Sequence, residues 1–219
     1  MKVIIFDMDG VLVDVSQSYR IAIQKTAEFF LNRSVSPDVI QRLKNRGSNN
    51  DDFDLTRRII NSRGIFPEQN EIESKFNNYY WGRKNDGLVR NEMWLFDYAL
   101  LKKVYNKYKL GIVTGRPRKD AEFALKQFTA KNFFDVVICA EDVGDKKKPN
   151  PFGLRLALRH FSTKEAIYVG DNVDDVEMAN VAGIPAVGVA KDPQLKSLLA
   201  EKGAKHVIES VNDLPEILK

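Results

Sequence analysis

Asp7 and Asp9 stand one residue apart, directly behind the apolar run Val3-Ile4-Ile5-Phe6 and before Gly10. Carboxylates this close repel each other, and the edge of an apolar core makes their charges costlier still. Such a pair suits chemistry in which the two groups take unlike parts. One attacks an electrophile such as phosphorus, giving an aspartyl-phosphate, while the other protonates the leaving oxygen and later activates water. Three more clusters carry matching residue types: Thr114-Gly115-Arg116, the run Asp145-Lys146-Lys147-Lys148-Pro149, and Gly170-Asp171-Asn172-Val173-Asp174-Asp175. Asp7, Asp9, Asp171 and Asp175 brought together could not all stay ionised without a cation. An all-oxygen set of this kind suits Mg²⁺, which leaves room for water and a substrate phosphate. Thr114, the glycine turn and Lys148 supply the complementary donors and positive charge for phosphate oxygens.

Each cluster follows a short, continuously apolar, mostly β-branched run: Val3–Phe6, Leu110–Val113, Val136–Cys139 and Ala166–Val169. Ala186–Val189 and His206–Ile208 are two more. Runs without alternation predict strands buried on both faces, as in a parallel sheet. Helical periodicity separates them, as at Ala121, Ala124, Leu125 and Phe128, and at Leu154, Ala157, Leu158 and Phe161. Asn150-Pro151 and Asp192-Pro193 mark helix starts, and a helix opening near Pro117 would point its amides at a bound anion. The pattern predicts a doubly wound α/β core, in which ligands gather beyond the carboxyl ends of the strands. Residues 16–89 interrupt it with four helical stretches, near 17–32, 37–46, 51–63 and 68–82, punctuated by Gly47 and Gly64. The predicted division is therefore a core of residues 1–15 and 90–219 with an inserted all-helical unit of residues 16–89.

Asp7-Met8-Asp9-Gly10-Val11, Thr114, Lys148-Pro149-Asn150-Pro151 and Gly170-Asp171 through Asp175 together resemble the four ordered motifs of haloacid dehalogenase-like hydrolases, across the whole α/β part. The helical stretch resembles the cap that phosphoglycolate-phosphatase-like and β-phosphoglucomutase-like members insert after the first strand. The resemblance implies Asp7 as nucleophile, Asp9 as general acid and base with its carbonyl on Mg²⁺, and Thr114 as a phosphate ligand. It implies Lys148 as the steadying charge, Asp171 as a metal ligand, and Asp175 as a metal ligand or a carboxylate just behind the metal. It further implies a phosphatase acting on a small phosphorylated metabolite, since members that cleave carbon–halogen bonds lack the second aspartate. One departure stands out: Gly115-Arg116-Pro117 follows the motif threonine where close relatives often carry a small polar residue. Arg116 offers a fork-shaped contact to phosphate or a second anionic group.

Two other readings share these residues. A phosphomutase would pass the phosphoryl group to a second sugar hydroxyl. A receiver-like signalling module also uses an aspartate, a threonine and a Lys-Pro on a doubly wound sheet, but it is shorter and lacks both the helical insertion and the late acidic motif.

With 219 residues, 43% hydrophobic and 29% charged, the composition is that of a soluble globular chain. A net charge of +4 without a basic stripe argues for an anionic small molecule over nucleic acid. A single cysteine, Cys139, excludes an intrachain disulfide and reads as a small buried residue. No apolar stretch approaches a membrane span and no leader pattern opens the chain, so the expected location is the cytoplasm. The two histidines lie outside every motif, which leaves a zinc site without support. Tyr79-Tyr80-Trp81 and Met93-Trp94 read as packing of the helical unit and its hinge. Arg20, Arg46, Asn49, Asn50 and Arg83 are its candidate substrate-facing residues. Oligomeric state leaves no readable mark.

Overall fold

Val3, Ile4, Ile5 and Phe6 are each at most 2% exposed, because the strand they form is sandwiched on both faces. Val3 and Ile5 enter one layer with Leu154, Leu158, Tyr168, Met178 and Ala179. Phe6 meets Phe96 and Phe134, with ring centroids 6.0 and 6.2 Å away. Each such side chain contributes about 1.5–3 kcal/mol by burial, which explains why the strand reads as an unbroken apolar run.

The structure is a computed structural model and describes residues 2–45 and 51–218. Arg46, Gly47, Asn49 and Asn50, singled out above, lie outside the described residues. The strands are β1 (Val3–Phe6), β2 (Val13–Asp14), β3 (Met93–Trp94), β4 (Lys109–Val113), β5 (Val136–Ile138), β6 (Ala166–Gly170), β7 (Ala186–Val189) and β8 (His206–Ile208). The α-helices are α1 (Tyr19–Leu31), α2 (Pro37–Asn45), α3 (Asp52–Asn61), α4 (Gln69–Trp81), α5 (Tyr98–Tyr105), α6 (Arg118–Gln127), α7 (Ala140–Val143), α8 (Phe152–His160), α9 (Val173–Ala182), α10 (Pro193–Glu201) and α11 (Leu214–Ile217).

The chain divides into two compact units. One runs to Val13 and resumes at Trp94, and the other is Asp14–Met93. The first holds a six-stranded sheet in the order β5-β4-β1-β6-β7-β8, every neighbouring pair parallel. The chain winds outward from β1 through β4 to β5, then returns to the other side of β1 at β6. That reversal opens a crevice at the carboxyl ends of β1 and its neighbours. Phe6 is in register with Ile112 on β4 and Val169 on β6, so the segments leaving these three strands start level with one another.

The second unit is helical. Ala22, Ile23 and Ala27 of α1, Leu55 and Ile60 of α3, and Ile72, Phe76 and Tyr80 of α4 form its buried face. Tyr19 stacks on Tyr80 at 4.4 Å, and the Ser18 and Tyr80 hydroxyls each donate to Glu92 Oε1 at 3.0 Å.

Three local expectations shift. Cys139 leaves β5 and sits at the N-terminus of α7, while α8 opens at Phe152, one residue later than Asn150-Pro151 suggests. Pro151 itself takes the N-cap position without a side-chain cap, and Asn150 accepts the Phe152 N–H at 3.0 Å in the turn that precedes the helix. Trp94 packs with Tyr98 and Phe128 of the α/β unit, with centroids 6.1 and 5.8 Å away.

Candidate active site

The segment leaving β1 folds back at once. The Met8 carbonyl accepts the N–H groups of Leu12 and Val13 at 2.8 and 2.9 Å, and the Gly10 N–H donates to the Val13 carbonyl at 2.8 Å. Gly10 has φ +74°, and a β-carbon there would lie 1.9 Å from Asp171 Oδ2. The turn therefore needs glycine for its backbone and for the Asp171 carboxylate that occupies the missing side chain's place. Gly10→Ala is expected to cost about 1–2 kcal/mol for the left-handed backbone alone. It should also displace Asp171, read as weakened divalent-cation binding in a metal titration beside a denaturation curve.

Lys148 is the hub. Its ammonium donates to Asp7 Oδ1 at 2.8 Å, Asp175 Oδ1 at 2.7 Å and Tyr168 Oη at 2.7 Å, one acceptor for each of its three protons. The Lys148 and Asp7 side chains are each 7% exposed and that of Asp175 is 1% exposed, so the bonds form in a desolvated setting. Burial pushes the Asp7 carboxyl well above the ordinary aspartate range. Lys148 opposes the shift, and Asp175, Asp171 and Asp9 reinforce it. Burial disfavours the Lys148 ammonium too, but Asp175 and Asp7 outweigh it and hold the amine protonated beyond the usual lysine range.

Tyr168 is the member that sequence reasoning missed. It lies in mid-strand β6, fully buried, and its hydroxyl forks between the Val113 carbonyl at 3.0 Å and Asp175 Oδ1 at 3.2 Å. Burial first, then Asp175 and Asp7, push the phenol's pKa well up, so it stays a donor. A strand tyrosine reads as core. The one available signal was a polar tip in a run otherwise free of them, two residues before Gly170.

Asp175 is engaged on both oxygens. Besides Lys148 and Tyr168 at Oδ1, its Oδ2 accepts the backbone N–H groups of Asp171 at 3.2 Å and Asn172 at 3.3 Å. Asn172 Oδ1 in turn accepts the Asp175 N–H at 3.1 Å, closing a capping box on α9. Gly170 makes this possible, since a β-carbon there would lie 2.4 Å from that of Asp175.

Carboxylate oxygens of Asp7, Asp171 and Asp175 all lie within 4.8 Å of one another. Three hard anionic donors beside a single ammonium fit a small divalent cation. The Asp9 carboxylate stands outside this group and is ion-paired with Arg116 Nε. Thr114 is 4% exposed, and its Oγ1 accepts the Arg116 N–H at 3.1 Å, which leaves the hydroxyl proton to point elsewhere. Gly115 is exposed. Of the other lysines in the run, Lys146 lies over the Phe152 ring at 4.2 Å. Cys139 is buried, its thiol pushed up to about 12 chiefly by that burial, which removes it as a nucleophile. In the helical unit, Arg20 donates to Gln41, and the Arg83 backbone N–H donates to Asp86 at 3.0 Å. No helix among the described residues is long and apolar enough to cross a membrane.

The chain is 36% identical over 213 residues to an imidazoleglycerol-phosphate dehydratase of Phytophthora nicotianae, covering 93% of this chain and 47% of that protein. It is 35% identical over 113 residues to the pyrophosphatase PpaX of Bacillus mycoides, covering 51% and 52%. The chain thus spans about half the length of the curated relatives it matches. The solved structure of the phosphatase Tt82 from Thermococcus thioreducens superposes with a TM-score of 0.71 at 27% identity, over 90% of this chain and 99% of that one. The model of the family described as haloacid dehalogenase-like hydrolase matches residues 4–189, from β1 to the end of β7 and through every cluster above. The chain belongs to the haloacid dehalogenase-like hydrolases.

Proposed function

We propose that the protein is a Mg²⁺-dependent phosphatase that hydrolyses a small alkyl phosphomonoester through an aspartyl-phosphate on Asp7. The observation that carries this reading is the Lys148 ammonium held between Asp7 and Asp175, whose carboxylate oxygens lie within 4.8 Å of each other and of that of Asp171. Asp7 and Asp171, with the Asp9 carbonyl, would hold the ion, while Asp175 holds Lys148 and the loop. A bound Mg²⁺ would balance the carboxylates and draw charge from the phosphoryl oxygens.

An Asp7 oxygen forms a bond to phosphorus as the bond to the substrate oxygen breaks, and that oxygen takes a proton from Asp9. Asp9, now a carboxylate, then takes a proton from water as the water oxygen attacks phosphorus, returning Asp7 and releasing inorganic phosphate. Thr114 Oγ and Lys148 Nζ supply donors for the phosphoryl oxygens. The dehydratase relative is named for imidazoleglycerol phosphate, itself an alkyl phosphomonoester. That name supports an imidazole-bearing alkyl phosphate as the first compound to try.

Phosphate release from p-nitrophenyl phosphate, imidazoleglycerol phosphate, phosphoglycolate and inorganic pyrophosphate, each with Mg²⁺ and with chelator, tests the proposal. Metal-dependent release from the monoesters is expected. Release from pyrophosphate alone, or release indifferent to chelation, would overturn it.

A further inference from the structure

Arg116 is 2% exposed, and a guanidinium taken this far out of water needs fixed hydrogen-bond acceptors. One of them is Asp9, whose Oδ1 accepts the Arg116 Nε–H. The residues around Arg116 fix its aim. Its backbone N–H donates to Thr114 Oγ1 at 3.1 Å, and its carbonyl accepts the Ala140 N–H at 3.0 Å. Pro117 then opens α6, and the next N–H, that of Arg118, sits on the Glu141 carboxylate at 3.0 and 2.9 Å. The turn is therefore tied to α7 on both sides of the arginine, whose side chain reaches the loop after β1 at Asp9.

We propose that Arg116 is a positioning residue for Asp9, setting the orientation in which that carboxyl delivers a proton to the leaving oxygen, and so making the enzyme competent for esters whose alcohol is a poor leaving group. This rests on the phosphatase reading and departs from a direct contact between Arg116 and the substrate phosphate. A guanidinium on the phosphate would help every ester equally. One that acts through Asp9 helps only where the departing oxygen needs a proton. p-Nitrophenolate leaves without one, whereas phenolate gains from it and the alkoxide of glycerol 2-phosphate depends on it. In each case the phosphorus–oxygen electron pair goes to the leaving oxygen, and the Asp9 proton follows it.

The test compares kcat/KM, which stops at transfer to Asp7, for p-nitrophenyl phosphate, phenyl phosphate and glycerol 2-phosphate. It uses wild type, Arg116→Gln, Asp9→Asn and the double variant, all with Mg²⁺. Arg116→Gln should lose about 10- to 100-fold on phenyl phosphate and glycerol 2-phosphate, a part of the roughly 10²–10⁴-fold that a positioned general acid contributes, and less than about threefold on p-nitrophenyl phosphate. In the Asp9→Asn background the same change should have no further effect. Equal losses on all three esters, or an additive double variant, would overturn the proposal in favour of a phosphate contact. If Arg116→Gln does not fold, Arg116→Lys is run through the same cycle, with a partial loss of the same selectivity expected. Asp7→Asn separates the two readings: turnover surviving that change sinks the phosphatase mechanism, whatever Arg116 does.

Discussion

An Asp7→Asn variant is expected to release phosphate from p-nitrophenyl phosphate at least about 10⁴-fold more slowly than wild type, because on the proposed mechanism it loses the covalent nucleophile and with it the pathway itself. The fold should survive, since the asparagine oxygen can still accept the Lys148 proton that Asp7 accepts at 2.8 Å. Stability gives an independent readout. The folded-state pKa of Asp7 is raised above its ordinary 3.8, with burial as the first cause. A raised carboxyl contributes its full stability below the unfolded pKa and loses it as pH rises through the folded value. Without metal, the variant should therefore be more stable than wild type at neutral pH, with the gap closing as pH falls toward the ordinary carboxylate range. Urea denaturation in chelator across pH measures this, and a wild type that gains stability on ionising Asp7 would contradict the geometry.

The second large effect belongs to Lys148. Lys148→Met keeps the unbranched stem of the side chain to Cε and removes the charge, leaving Asp7 and Asp175 facing each other out of water. Breaking a buried ion pair from one side costs about 3–5 kcal/mol, and here Tyr168 Oη also loses the donor at 2.7 Å. Denaturation in chelator should show a loss of that size, and millimolar Mg²⁺ should recover part of it by supplying another cation. A variant as stable as wild type without metal would mean that the carboxylates are already balanced by something else.

The strands of the α/β sheet were legible because burial on both faces forces apolar runs. Val3–Phe6, Ala186–Val189 and His206–Ile208 stand where the pattern puts them. The two-residue strands β2 and β3 were not, since so short a pairing leaves no periodicity to read. Asp7, Lys148, Asp171 and Asp175 could be named because each follows a strand of one parallel sheet and carries a reactive group. Tyr168 could not, because its hydroxyl matters only once Lys148, 20 residues away in sequence, lies across it. Arg116 was visible as a departure from the family pattern, but its contact with Asp9 spans 107 residues, and no local signal encodes it. The double engagement of Asp175 was half legible, as Asn172 with Asp175 three residues on is a capping-box spacing.

β1 is a central strand of the sheet, yet its partner β4 lies roughly 100 residues further along the chain and β6 lies further still. At about 5–20 residues per second of synthesis, Val3-Ile4-Ile5-Phe6 spends several seconds as an unpaired, fully apolar segment. Segments of that kind nucleate aggregates unless a charge flanks them. Lys2 flanks this one on one side and Asp7 and Asp9 on the other. Before either aspartate has a substrate, a metal or an arginine to meet, the pair would oppose self-association of the nascent chain. An Asp7→Asn, Asp9→Asn double variant would then lose soluble yield as well as turnover.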